Sequence, residues 1–116
     1  HPLFTVTGIV AATVFAFVGT DATSGGAATI EVGTALSTAA LLPQVAFSVL
    51  DANEIWHDAT PDASVELDSV LTKKIVAQSI AVTIGGATIT GGTITFYCSW
   101  YPISSDGLVV AVTPFA

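Results

Sequence analysis

Alternating apolar and polar residues predict β-strands along most of this chain. In residues 27–34 the larger apolar side chains fall on one face and Thr29 and Glu31 on the other, as in a half-buried strand. Residues 80–84 and 94–100 alternate in the same way, with β-branched and aromatic side chains, and we interpret them as two antiparallel strands. Their core-facing side chains are predicted to be Ile80, Val82, Ile84, Ile94, Phe96 and Trp100.

The first long apolar segment, residues 4–18, is predicted to cross the sheet once, with a bend at Gly8. A run this apolar is typical of a strand buried on both faces, so we expect one face to contact another subunit. The run is shorter than the roughly 20 residues of a membrane-spanning helix, and its Thr and Val residues favour a sheet. The alternative is a pilin or archaellin, in which a hydrophobic N-terminal helix packs in the core of a filament.

Pairs of glycines separate the apolar runs and predict turns at residues 25–26, 85–86 and 91–92. Residues 35–42 are compatible with either a single helical turn or a loop. Further short strands are predicted at residues 44–50, 54–57, 64–67 and 108–112. About seven or eight short strands joined by turns predict an antiparallel β-sandwich, and the long crossings favour a jelly roll. The length of 116 residues fits a single domain, residues 1–116.

The composition indicates that the folded chain does not act alone. Hydrophobic residues make up 52% of the sequence and charged residues 9%, against about 25% charged residues in soluble domains. So few charges leave apolar surface that one core cannot hide, and such surface usually marks an interface. We therefore expect a homo-oligomer, first of all a trimer. Its predicted contact residues are Phe15, Phe17, Trp56 and Tyr97.

Charge and cysteine content argue against several classes of partner. Two lysines, Lys73 and Lys74, stand against nine acidic residues, for a net charge of −7. The chain therefore lacks the basic surface that binding to nucleic acid or to an anionic membrane requires. Cys98 is the single cysteine and permits no internal disulfide. The sequence begins at His1 and contains no Met, as expected of a processed product or an excerpt from a longer chain.

Residue types that carry out catalysis are scarce. His57 is the one internal histidine, and the alternation around Cys98 points its thiol toward the core as an inert side chain. Acidic side chains in turns are ordinarily just hydrated, so we expect no enzyme activity, no catalytic residue and no cofactor. The carboxylates that would be the candidates for general acid–base chemistry are Glu54, Asp58, Glu66 and Asp68.

Residues 51–62 form the densest polar cluster and contain oxygen ligands of the kind that Ca²⁺ prefers. They lack both the glycine at the sixth position and the glutamate at the twelfth position of an EF-hand loop. We interpret this segment as two turns on either side of a short aromatic strand, with Trp56 at a subunit contact. No metal site is predicted.

Three stretches of the sequence form a recognisable set: TSGGAATIEVG at residues 23–33, EIWHDATP at residues 54–61 and TGGTITFYC at residues 90–98. The third stretch runs on into Trp100, Pro102, Ser104, Asp106 and Gly107. Together they resemble a group of tailed-bacteriophage structural proteins, over about residues 20–110.

The resemblance implies a virion protein, such as a capsid decoration, head-fibre or tail-associated module, and it brings no catalytic motif. Modules of this kind are commonly β-sandwiches that assemble as trimers, so the implied partners are copies of the chain and other virion proteins such as the capsid shell. A glycan-binding module at a fibre tip is the remaining alternative. Its candidate residues are Trp56, Asp58, Asp62 and Tyr101.

Overall fold

A computed structural model describes residues 1–58, 64–65 and 74–112 of the chain. In these residues the backbone forms nine β-strands and one short 3-10 turn, and no helix is long and apolar enough to cross a membrane. The strands are β1 (Pro2–Thr7), β2 (Val10–Ser24), β3 (Thr29–Gly33), β4 (Leu42–Ala46), β5 (Ile55–Trp56), β6 (Lys74–Val76), β7 (Ile80–Gly85), β8 (Ile89–Pro102) and β9 (Leu108–Ala111), and the 3-10 turn is Phe47–Val49.

The strands form two antiparallel sheets that face each other across one core. The five-stranded sheet has the order β4-β3-β7-β1-β9. In the four-stranded sheet β8 pairs with β2 along its whole length, while β5 and β6 pair with separate parts of β2. Because β8 already occupies one edge of β2, β5 and β6 must share the other edge. The predicted β-sandwich is confirmed, with nine strands, whereas jelly-roll connectivity remains a prediction.

The long apolar segment at the start does not cross one sheet once, as its sequence predicted. It breaks at Gly8, so that β1 joins the five-stranded sheet and β2 joins the four-stranded sheet. Gly8 has a φ of +66°, a left-handed conformation that glycine adopts without strain. The turn after β8 stabilises this junction between β1 and β2, because the Ile9 N–H donates a 2.8 Å hydrogen bond to Ser104 Oγ. A periodic pattern alone did not reveal the change of sheet.

The core lies between the sheets and is built around β2. Alternate side chains of β2 point inward, and those of Val10, Val14 and Val18 are almost completely buried. The other sheet contributes buried side chains opposite them, among them Ile30 and Leu42. Of the predicted core residues, Ile80 and Val82 are buried, while Ile94, Phe96 and Trp100 are half-buried and pack against the core. Ile84 lies at the end of β7 and is 36% exposed, so its prediction as a core residue is wrong.

Two further predictions need correction because they assumed local pairing. Strands β7 and β8 are not neighbours: β7 pairs with β1 and β3, and β8 pairs with β2 in the other sheet. The glycines at residues 91–92 do not form a hairpin turn but lie inside β8, where the register against β2 shifts. Of the strand predicted at residues 64–67, residues 66–67 lie outside the described part. Residues 35–42 contain turns and no helix.

Candidate functional site

A group of exposed apolar and aromatic side chains lies on the outside of the four-stranded sheet. Its geometry follows from the register of β2 and β8, which is regular from the pair Val18–Ile94 to the pair Val10–Pro102. Since the even-numbered residues of β2 point into the core, its odd-numbered residues point outward. Paired residues of neighbouring strands lie on the same side, so the register also determines which side chains of β5, β6 and β8 accompany them.

Aromatic side chains occupy the middle of this surface. Phe15 and Tyr97 are paired across the strands, and their rings stack with centroids 5.3 Å apart and planes 18° from parallel. Phe17 stands next to them and is 37% exposed. Side chains of the flanking strands extend the surface, with Ile75 61% exposed. We define the outer face as Phe15, Phe17, Ile55, Ile75, Tyr97 and Tyr101, with Thr13, Thr95 and Ser99 between them.

No member of the outer face carries a charge. The acidic side chains that are described serve elsewhere as acceptors in turns and loops. Glu31 accepts hydrogen bonds from Thr38 and Gln44, and Asp21 accepts one from the backbone N–H of Ala52. The described acidic side chains named here therefore lie outside the outer face.

Three of the four predicted contact residues, Phe15, Phe17 and Tyr97, lie together on the outer face. Trp56 does not join them, because it pairs with Ala16 and so points to the inner side of the sheet. It is 6% exposed, and its ring meets Phe96 edge-on at 6.2 Å. Trp56 was expected at a subunit contact, but it lies in the core. A two-residue strand is too short for its alternation to have shown this.

The sequence analysis missed Ile55 and Ile75 as outer-face residues. Both lie on short strands, β5 and β6, which pair with β2 only over the few residues opposite them. The signal available in the sequence was the position of Ile55 next to Trp56, since adjacent strand residues point to opposite sides. That signal becomes usable only when the direction of Trp56 is known.

The side chains considered for catalysis are not brought together as a nucleophile with its base. His57 Nδ1 lies 2.8 Å from the carbonyl oxygen of Asp58, a distance that fits a hydrogen bond donated by the ring. Cys98 points to the inner side of β8, and partial burial raises the pKa of its thiol. A raised pKa keeps the thiol protonated and a poor nucleophile at neutral pH.

The candidate carboxylates have structural partners where they are described. Glu54 accepts a 3.0 Å hydrogen bond from the backbone N–H of Asp51. Asp58 forms an ion pair with Lys74 at 3.2 Å, and Lys74 also donates to the carbonyl oxygen of Ala40. The other two candidates, Glu66 and Asp68, lie outside the described residues, as does Lys73.

The structure also locates the candidate metal ligands and the candidate glycan-binding residues. In residues 1–58, 64–65 and 74–112, no three His, Cys, Asp or Glu side chains group as metal ligands, and Asp62 of the polar segment 51–62 lies outside these ranges. Of the glycan candidates, Trp56 is buried on the inner side while Tyr101 lies on the outer face. The two rings therefore form no common platform.

A small cleft opens beside β5, between the edges of the two sheets, with a volume of about 340 Å³. Its lining is mostly apolar and includes Val49, Ile55 and Trp56, with Glu54 as the one charged side chain. The Glu54 carboxylate is already engaged with the Asp51 backbone. Among the described residues that line the cleft, Trp56 is the one other side chain with a polar group, its indole N–H.

Comparison with protein-family models, with curated proteins and with solved structures found no match. The outer face is therefore the feature of this molecule from which a function can be argued.

Proposed function

We propose that this chain is a non-enzymatic structural subunit that acts by assembling with copies of itself, as a component of a tailed-phage particle. The observation that carries the assembly proposal is the uncharged, aromatic outer face of the four-stranded sheet. Contiguous apolar surface of this kind usually marks a protein interface. Aromatic side chains are also the residues that contribute most to binding at such interfaces.

The energy available at the outer face supports this proposal. Full burial of a Phe, Ile or Leu side chain contributes about 1.5–3 kcal/mol, so burying the remaining half of each outer-face side chain contributes about 1 kcal/mol. Phe17, Tyr97, Ile55 and Ile75 are all at least one-third exposed in the single chain. Their summed contribution is of the order needed to offset the free-energy cost of the translational and rotational freedom that a subunit loses on association.

Charge favours a copy of the same chain as the partner at this surface. Two molecules that each carry a net charge of −7 repel each other, least so where their uncharged surfaces meet. A basic partner would find no acidic group on the outer face to pair with. Self-association through this face thus buries its apolar side chains, and it places no charged member of the face in the contact.

The phage setting is proposed from the resemblance of residues 23–33, 54–61 and 90–98 to virion proteins, and a β-sandwich fits a capsid decoration, head-fibre or tail-associated module. A trimer and a contact with the capsid shell belong to this part of the proposal. The pilin alternative requires a helical N-terminal segment, whereas residues 2–7 and 10–24 are strands. The glycan-binding alternative requires an exposed Trp56, whereas Trp56 is buried.

Sedimentation velocity on Phe17→Asp tests the assembly proposal. Phe17 is partly exposed in the single chain, so an aspartate there stays hydrated in the monomer but would be buried without a partner in the assembly, at several kcal/mol. We expect Phe17→Asp to be a folded monomer at micromolar concentrations where the unaltered chain is oligomeric. The matched control is Val110→Asp, at an apolar residue on the outside of the other sheet that is 50% exposed, against 37% for Phe17.

A stable monomer of the unaltered chain at these concentrations would refute the proposal. Dissociation by Val110→Asp but not by Phe17→Asp would move the interface to the five-stranded sheet. For the phage setting, the measurement is quantitative mass spectrometry of purified particles, in which the chain should be present at a copy number that follows capsid or tail symmetry.

A further inference from the structure

The strand β8 lies at an edge of the four-stranded sheet, and no described residue pairs with its far side. Every residue of β8 is exposed or half-buried, whereas the inward side chains of its neighbour β2 are almost completely buried from Val10 to Val18. Even the inward-pointing Phe96 and Trp100 remain only half-buried. Among residues 1–58, 64–65 and 74–112, nothing closes the sandwich along β8.

Hydrogen bonds of β2 show which backbone groups of β8 face the open edge. The Val18 N–H donates to the Glu54 carbonyl and the Val18 carbonyl accepts from the Asn53 N–H, so both backbone groups of Val18 point away from β8. Adjacent strand residues point their backbone groups in opposite directions. The odd-numbered residues of β2 must then bond to β8, and the Ile9 carbonyl, which accepts from the Ile103 N–H, agrees with this parity.

The same alternation between odd- and even-numbered residues divides β8 into two sets. Thr95, Tyr97, Ser99 and Tyr101 stand opposite odd-numbered residues of β2, so their backbone groups bond to β2. The other set has its N–H and C=O groups directed to the open edge, and it consists of Ile94, Phe96, Cys98 and Trp100.

This open edge lacks the usual protection against pairing. Edge strands of natural proteins are commonly blocked by charged side chains, prolines or bulges. No residue of β8 is charged. Its register shifts lie before Ile94, and Pro102 stands at its other end, so residues 94–101 form a regular, unblocked segment.

We propose that residues 94–100 pair antiparallel with the same residues of a second copy, joining the two four-stranded sheets into one continuous sheet across a twofold axis. This inference rests on the proposed self-assembly and adds to the outer face a second contact, with a defined strand and a defined symmetry. A second copy is the occupant because an antiparallel strand is complementary to itself, and because an uncharged segment lets two acidic chains approach.

Pairing the four residues of the open set only with one another selects one register. A twofold axis at Tyr97 places Ile94 opposite Trp100 of the second copy and Phe96 opposite Cys98 of the second copy, so that every open backbone group is paired. Tyr97 then lies beside Tyr97 of the second copy on the outer face. The stack of Phe15 and Tyr97 would continue directly into the same stack of the other molecule. This contact closes at two copies, and a trimer would need a separate contact.

Hydrogen exchange of single backbone amides, followed by NMR above and below the concentration of association, tests the proposal. The amides of Phe96, Cys98 and Trp100 should exchange fast in the monomer and at least about tenfold more slowly in the assembly. The amides of Tyr97 and Ser99 bond to β2 in both states and serve as internal controls. A slowing of exchange on association that is confined to alternate residues is the signature of strand pairing.

Three results would overturn the proposal. Association with the amides of the open set still fast would refute strand pairing while leaving assembly through the outer face intact. Slow exchange of these amides already in the monomer would show that one copy covers its own edge. Absence of any association would refute the proposed function together with this inference.

A proline at residue 98 gives a second measurement. Cys98→Pro removes one N–H of the open edge and none of those that bond to β2, a position at which edge strands tolerate proline. The reference variant is Cys98→Ala, which also lacks the thiol but retains the N–H. We expect Cys98→Pro to need at least about tenfold higher concentration than Cys98→Ala to associate. Equal association of the two folded variants would contradict the proposal, and hydrogen exchange on the unaltered chain decides if Cys98→Pro does not fold.

Discussion

Replacing Gly8 with alanine perturbs the point at which the chain passes from one sheet to the other. Gly8 has a φ of +66°, a conformation that alanine adopts at a penalty of roughly 1–2 kcal/mol. Alanine also restricts the unfolded chain, which offsets about 0.4–1 kcal/mol of this penalty. The backbone change alone should thus destabilise the fold by about 1 kcal/mol.

The added methyl group also meets the side chains that fasten this junction. An ideal Cβ at residue 8 would lie 2.5 Å from Ser104 Oγ and closer still to Asp106 Oδ1. Ser104 Oγ accepts a 2.8 Å hydrogen bond from the Ile9 N–H and donates a 2.6 Å hydrogen bond to Asp106. Moving Ser104 aside loses one or both bonds, at about 1 kcal/mol each. We therefore expect Gly8→Ala to lower the free energy of unfolding by roughly 2–3 kcal/mol.

Urea denaturation at one fixed protein concentration measures this change, because association would otherwise alter the apparent stability. Gly25→Ala is the matched control. Gly25 has no positive φ, and the nearest atom to an added Cβ is the Thr88 carbonyl oxygen at 3.8 Å, so alanine meets no obstacle there. The control should unfold within about 1 kcal/mol of the unaltered chain, on the stabilised side.

The reasoning fails if Gly8→Ala and Gly25→Ala unfold at the same urea concentration. A double-mutant cycle separates the two contributions to the expected loss. If the methyl group already displaces Ser104, then Ser104→Ala should destabilise the unaltered chain by about 1 kcal/mol and the Gly8→Ala chain by much less. Additive effects would show that the destabilisation arises from the backbone conformation alone.

Two further predictions concern the inner side of the four-stranded sheet. Trp56→Ala should lower the stability of the single chain by about 3–5 kcal/mol, measured by thermal unfolding, because Trp56 is buried against Phe96; a loss of association at unchanged monomer stability would instead return Trp56 to an interface. Iodoacetamide should modify Cys98 more slowly than glutathione at pH 8, with its rate rising at higher pH, because a raised pKa leaves less thiolate at a given pH. Equal rates and equal pH dependence would contradict the burial of this thiol.

The sequence predicted fold class and individual strands where one face of a strand is buried and the other is hydrated. Strand β3 is such a case: Ile30 and Val32 are buried, while Glu31 points outward and bonds to Thr38 and Gln44. The apolar and polar residues alternate because successive side chains of the strand point alternately to the core and to water. Of the four predicted contact residues, Phe15, Phe17 and Tyr97 lie together on the outer face and Trp56 does not, and their contact with a second copy stays a prediction.

The sequence could not show which strands pair over long distances. Strand β7 looks like the natural neighbour of β8, yet β8 pairs with β2. An apolar run also gives no sign of the sheet to which each half belongs, so only the conformation of Gly8 reveals the change between β1 and β2. Such choices depend on the packing of all strands together, which no local pattern records.

The pairing of β2 with β8 has a consequence for how the chain folds during synthesis. Its pairs, from Ser24–Ile89 to Val10–Pro102, join residues that are translated far apart in time. Until β8 leaves the ribosome, the inward valines of β2 have no neighbour along that edge and stay accessible to other apolar chains. Domains dominated by such distant pairings fold in roughly milliseconds to seconds, because a long loop must close before any contact rewards it. We therefore expect the meeting of these two strands, after residues 1–88 have been made, to limit the rate at which the sandwich forms.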